Sequence, residues 1–188
     1  MLQPLKTGAN YQDLCAVPEL LIAELIGGDL YASARPPIPY VYAASAIAWT
    51  IGATFDHAPG ESGDWLLLNK PEIHLREDAI VPDIAAWQRD RLPKKMPDYF
   101  DFAPDWLCEI LAPNTGALDR TKKLAVYARE GVRHVWLVNP AIQTIEVLRL
   151  ESQRWSLIVA HEGGVRMRAE PFDAIELDLS TLWLPSKG

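Results

Sequence analysis

The feature that most constrains this chain is a strand, a helix and a second strand in close succession between Trp106 and Val138. Trp106 to Leu111 reads as an apolar strand. Leu118 to Glu130 reads as a helix, with Leu124, Tyr127 and Ala128 as its apolar stripe and Gly131 as its stop. His134 to Val138 reads as the second strand, closed by Asn139-Pro140. Two strands joined by a helical crossover with short connections run parallel and are mostly buried, so an α/β core is predicted around this unit.

The flanking segments predict antiparallel additions. Glu24-Leu25-Ile26 and Asp29-Leu30-Tyr31 flank Gly27-Gly28, a pair suited to the positive φ angles of a tight hairpin turn. A helix through Glu24 that stops at Gly27 is the competing reading. Val41 to Ile51 is small and apolar all round, which predicts a buried helix stopped by Gly52. Strands are predicted at Trp65–Leu68, Glu72–Leu75 and Ala79–Trp87, with loops at the proline-containing stretches 35–39 and 92–104. A C-terminal hairpin, Thr144–Leu150 against Trp155–Ala160, precedes an apolar tail through Leu177, Leu179, Leu182 and Trp183. The expected fold is an α/β sandwich with some antiparallel character, in a single domain over 1–188.

No stretch reads as the ~18 uninterrupted apolar residues that cross a bilayer, and the N-terminus lacks a basic region followed by an apolar run. Cys15 and Cys108 form neither a CxxC nor a Cys/His cluster, so no disulfide framework or structural zinc is indicated and the cytoplasm is expected. The net charge of −7 argues against coating nucleic acid by bulk electrostatics. One basic patch can still bind phosphates, and Arg89, Arg91, Lys94 and Lys95 are the conspicuous cluster; a solvated loop is its simpler reading.

Strand periodicity exposes two acids in unusual places. Glu109 shares a face with Leu107 and Leu111, and Asp83 shares one with Val81 and Ala85. Burying an ionised carboxylate without a partner costs several kcal/mol. Two carboxylates ~4 Å apart repel by roughly 4 kcal/mol at an effective dielectric of 20, and a divalent cation between them turns repulsion into attraction. Pro82 removes a ladder donor, so Asp83 should lie at a strand end or distorted edge. In the alternative, Asp83 is an exposed strand-end acid and Glu109 is paired with an arginine. The metal reading expects Asp83→Asn to raise the stability of the metal-free protein; a salt-bridged Asp83 would reverse that sign.

Lys123 lies four residues from both Asp119 and Tyr127 on the predicted helix. It is either half of an exposed Asp–Lys pair, whose loss would barely change the melting temperature, or an ammonium directed back toward Glu109. In the second position it would offset negative charge on a phosphate under attack, or help deprotonate the attacking water.

Taken together, Val-Pro-Asp (81–83), Ala-Pro-Asp-Trp-Leu-Cys-Glu-Ile-Leu (103–111), Asp-Arg-Thr-Lys-Lys (119–123), Tyr-Ala-Arg-Glu-Gly-Val (127–132) and Val-Trp-Leu-Val-Asn-Pro (135–140) resemble the Uma family of restriction-endonuclease-like proteins, within the PD-(D/E)XK nuclease superfamily. The resemblance begins near residue 24 and runs to about residue 177, most of the chain. It implies a restriction-endonuclease-like mixed sheet flanked by helices, with N- and C-terminal β-hairpins. It also implies a Mg²⁺ or Mn²⁺ ion on Asp83 and Glu109, and DNA as substrate. The lysine expected two residues after the glutamate is replaced by Leu111, and Lys123 matches one moved onto the next helix. Glu24 and Glu72 match further family glutamates, and either could complete the site; each could equally be a surface-strand acid.

Two positions depart from the pattern. Tyr40 stands where many relatives have histidine, and Ala112 where they have serine. Tyrosine is not a base near neutral pH, and Ala112 removes a hydroxyl. The reading is a metal-dependent endonuclease acting on DNA. Its rival is a catalytically degenerate fold kept as a nucleic-acid-binding or homodimeric assembly module, for which the aromatic-rich C-terminal hairpin could form the homodimer surface.

Overall fold

The computed structural model describes residues 2–56 and 64–185. The N-terminal part runs β1 (Lys6–Thr7), α1 (Tyr11–Cys15), β2 (Leu21–Ile26), β3 (Asp29–Ala34) and α2 (Ile38–Phe55). The middle holds β4 (Trp65–Asn69), β5 (Ile73–Leu75), β6 (Asp78–Ile80), β7 (Ile84–Gln88) and β8 (Trp106–Ile110). After β8 come α3 (Gly116–Leu118), a π-helical turn (Asp119–Lys123) and α4 (Leu124–Arg129), followed by β9 (His134–Asn139). The remainder is β10 (Thr144–Glu151), β11 (Arg154–Glu162), β12 (Arg166–Met167) and β13 (Leu177–Asp178).

The crossover forms as expected. β8 and β9 pair in parallel from Trp106↔His134 to Ile110↔Val138, with the 116–129 helical stretch between them in sequence. They lie inside a six-stranded sheet ordered β11-β10-β9-β8-β7-β4, whose other pairings are antiparallel. The N-terminal hairpin is also as expected: Gly27 and Gly28 take φ of 61° and 78°, which glycine adopts without a Cβ penalty, and set β2 against β3. It belongs to a five-stranded sheet ordered β1-β3-β2-β6-β5.

Strand alternation divides the core in two. One face of the six-stranded sheet, with Ile84, Trp106, Cys108, Ile110 and Trp136, packs on α2 and on the C-terminal residues Phe172, Leu179 and Leu182. The opposite face, with Ala85, Trp87, Leu107, Val135 and Leu137, packs on Ile26, Tyr31, Ile73 and Ile80 of the five-stranded sheet, and on Leu118, Val126 and Tyr127. Each apolar strand is thus covered on both sides, as its near-continuous hydrophobic run requires.

Three expectations are corrected. Ala79–Trp87 is not one strand: β6 ends at Ile80 in the five-stranded sheet and β7 starts at Ile84 in the six-stranded sheet. Pro82 cannot donate to a ladder, so Val81-Pro82-Asp83 becomes the crossing between sheets. The helix expected from Val41 to Ile51 runs instead from Ile38 to Phe55, through Gly52, which is buried and where a Cβ would come within 4.0 Å of Leu67. It is not buried all round, because Ile38, Val41, Tyr42 and Trp49 are exposed. With 18 residues and a mean hydropathy of 1.2, α2 is also long and apolar enough by length and composition to cross a membrane, contrary to the expectation from sequence. In this fold its Tyr40, Ala43, Ile47, Ile51 and Phe55 pack into the core.

Candidate metal centre

β7 and β8 pair antiparallel with Ile84 opposite Cys108 and Ala85 opposite Leu107. Continuing that register by one residue puts Asp83 opposite Glu109. Directly opposed residues of an antiparallel pair share a face, and both acids line one cleft, with a free volume of about 40 Å³. Because β7 begins only at Ile84, the Ile110 N–H has no strand partner there; it donates instead to Asp83 Oδ2 at 2.7 Å. Asp83 Oδ1 receives the Lys70 ammonium at 2.6 Å.

Glu109 is almost wholly buried. Its Oε1 accepts the Tyr127 hydroxyl at 2.5 Å and the Lys123 ammonium at 2.9 Å. Lys123 also reaches Glu24 Oε1 at 2.9 Å, Asp119 Oδ1 at 3.5 Å and the Val81 carbonyl at 3.3 Å. Glu24 accepts the Val81 N–H at 2.9 Å, which ties β2 to the crossing segment. Asp119 and Lys123 bound the π-helical turn, and Tyr127 follows on α4; all three side chains are buried. The exposed Asp–Lys pair considered from sequence is therefore not what forms. Lys123 is the shared counter-ion of three buried carboxylates.

Burial pushes the Glu109 carboxyl up to about 8; the Lys123 charge opposes the rise, while Asp119, Asp83 and Glu24 add to it. Burial likewise raises Asp119 to about 6 against the pull of Lys123. Burial disfavours the Lys123 ammonium, but Glu109 and Glu24 outweigh it and hold its pKa above the ordinary lysine value. The Tyr127 hydroxyl is held protonated by its burial and by the charge of Glu109. These are the signatures of acids kept in a dry place by one cation.

The charged residues lining the cleft are Glu24, Asp83, Glu109 and Asp119 with Lys70 and Lys123. Four carboxylates against two ammonium groups leave a formal deficit of two positive charges when all are ionised, which one divalent cation would fill. Among the described residues no three acidic, histidine or cysteine side chains converge into a ready-made cage. That donor set suits a hard cation bound by one or two carboxylates and otherwise by water and substrate oxygens.

Other sequence candidates lie elsewhere. Glu72 is not brought to the cleft with Asp83 and Glu109: its Oε1 accepts the Tyr11 hydroxyl at 2.7 Å and meets His74 Nε2 at 2.6 Å. Tyr40, in the first turn of α2, packs into the core. Ala112 does line the cleft, next to Asn114 and Thr115. The basic cluster is folded onto the protein's own acids, with Arg89 on Asp56 at 2.5 Å and Arg91 on Asp105 at 2.7 Å, while Lys94 and Lys95 are exposed. None of the four lines the cleft. Lys70 was missed, since a single lysine in a turn after a strand carries no periodic signal. The Asn114-Thr115 rim was missed for the same reason.

Comparison with known proteins agrees with this fold. A family model described as "Putative restriction endonuclease" matches residues 9–180. A crystal structure from Anabaena variabilis, described as a putative nuclease, superposes with a TM-score of 0.76 at 21% identity, covering 93% of this chain and 97% of that one. No curated protein matches. The chain belongs to the Uma2 family, described as putative restriction endonucleases, and has the fold of that solved nuclease-like protein.

Proposed function

We propose that the chain is a single-domain, metal-dependent endonuclease that hydrolyses phosphodiester bonds in DNA. The observation that carries this reading is the opposition of Asp83 and Glu109 where two sheets part, in one cleft, with Lys123 behind them. Asp83, Glu109 and the backbone carbonyl of Ile110 would hold Mg²⁺ or Mn²⁺. The ion, when bound, supplies Lewis-acid polarisation of the scissile phosphate and a more acidic water. The chain's own residues prepare that place. Tyr127 and Lys123 fix Glu109 Oε1, and Ile110 N–H fixes Asp83 Oδ2. Lys123 sets a positive charge near the negative charge that builds on a phosphate under attack. Glu24 positions Lys123 and the Val81 backbone from the other sheet.

The test is stoichiometric Mn²⁺ binding together with metal-dependent nicking of plasmid DNA, both lost in Asp83→Asn and Glu109→Gln. A wild-type protein that binds no metal and leaves DNA, RNA and simple phosphodiesters intact would remove the reading. We place the protein in the cytoplasm, where a thiol as exposed as Cys15 stays reduced.

One observation favours the degenerate module instead: Asp83 and Glu109 are each already met by an ammonium group. In that reading the chain self-associates. The C-terminal hairpin of β10 and β11, where Leu157 and Ile158 are exposed, would serve as a homodimer face. A light-scattering mass of one chain at micromolar concentration, with cleavage present, decides against it.

A further inference from the structure

We propose that Lys70 is an exchangeable counter-ion of the cleft, holding in the metal-free protein the Asp83 oxygen that a divalent cation must take and releasing it when the cation binds. The inference rests on the metal reading above and adds a residue that sets how readily the site fills.

The two lysines of the cleft differ in kind. Lys123 is 3% exposed and shared among Glu24, Glu109 and Asp119, so withdrawing it would strand buried charge. Lys70 is 39% exposed and its ammonium meets one carboxylate, Asp83, itself only 15% exposed. The long side chain therefore reaches from solvent onto an acid at the edge of the dry region, and solvent is available to it when it leaves.

Its backbone is independently tied down. Lys70 follows β4 with φ of 49°, a left-handed conformation, and its N–H donates to the Asp83 carbonyl at 3.0 Å. Releasing the ammonium leaves that turn and that hydrogen bond in place. The other Asp83 oxygen stays oriented by the Ile110 N–H at 2.7 Å, so the carboxylate keeps its aim throughout the exchange.

A partly exposed ion pair is weak, and a ligand that must displace it binds less tightly by the fraction of molecules in which the pair is formed. Removing the ammonium should therefore raise Mn²⁺ affinity about three- to sixfold.

The experiment is calorimetric titration of Mn²⁺ into wild type, Lys70→Met, Lys70→Gln and Lys94→Met, with thermal melts of each protein with and without Mn²⁺. Lys94 is exposed and does not line the cleft, so it reports the effect of losing one positive charge in general. The expected result is tighter Mn²⁺ binding and a larger metal-induced rise in Tm for both Lys70 variants, with Lys94→Met like wild type. Unchanged or weaker binding in the Lys70 variants overturns the proposal, as does an equal gain in Lys94→Met. If every folded variant, wild type included, fails to take up Mn²⁺ while the melts stay cooperative, the metal reading itself falls, and this inference with it.

Discussion

Asp83 stands one residue before the start of β7, across from Glu109 in the register that β7 shares with β8, and its carboxylate accepts the N–H of Ile110, the residue after Glu109. The two acids are thereby coupled through one peptide unit. Neither can shift without disturbing the other, which is the rigidity a metal site needs from the elements that carry it.

Tyr127 is the clearest outer support of this pair. Its buried hydroxyl donates to Glu109 Oε1, so Tyr127→Phe removes one hydrogen bond while keeping the ring in the core cluster it shares with Leu118 and Val126. Partners that orient a ligand typically matter by about 10–100-fold in metal affinity or activity. Calorimetry should show Mn²⁺ affinity falling within that range, with the far-ultraviolet spectrum unchanged; an unaltered affinity would mean that Glu109 needs no such support.

The two acids should respond oppositely to neutralisation in the metal-free protein. Asp83 is paired with Lys70 and accepts a backbone N–H, so Asp83→Asn should lower stability by about 0.5–1 kcal/mol, a range discounted for the exposure of Lys70. This is the sign that a salt-bridged Asp83 implies, and it replaces the stabilisation expected from two unpaired acids. Glu109 is the acid that suffers from burial. Glu109→Gln keeps an acceptor for Tyr127 and leaves Lys123 with Glu24 and Asp119, so it should stabilise the apo protein by about 1 kcal/mol. Urea melts of the three proteins check both signs.

Lys123→Ala should destabilise strongly, by about 3–5 kcal/mol, because it leaves Glu24, Glu109 and Asp119 buried without their cation. That differs from the near-neutral effect of cutting an exposed helix pair. Mn²⁺ should recover part of the loss if it occupies the same acidic place. A melting temperature within a degree or two of wild type would show that the acids find other compensation.

Stability of the metal-free protein should fall as pH rises from about 5 to 8. Glu109 has a folded pKa of about 8 and Asp119 of about 6, both above the ordinary values near 4. A group whose pKa is raised by folding contributes most below its unfolded pKa, and that contribution is lost as pH climbs through the folded value. Glu109→Gln should flatten the upper part of the profile. In the same window Mn²⁺ affinity should increase with pH, since binding must displace the proton. Melts and titrations at pH 5, 6, 7 and 8 read both trends.

Much of this protein is legible in short-range pattern. Alternation along Trp106–Ile110 puts Glu109 on the face of Leu107, Gly27-Gly28 marks the hairpin, and the crossover follows from two apolar strands around one helix. These are local properties, set by a side-chain period or a φ preference within a few residues. What the tertiary structure alone decides is which charges meet. Pro82 shows that a strand must fail, but only sheet pairing sends β6 and β7 into different sheets and leaves Asp83 between them. Glu24 and Glu72 look alike as strand acids, yet β2 carries Glu24 to Lys123 whereas Tyr11 and His74 hold Glu72 away. Lys70 and Lys123 are ordinary lysines until the fold sets one on Asp83 and the other among three carboxylates. A Coulomb interaction depends on distance and burial in space, and neither is encoded by any spacing along the chain.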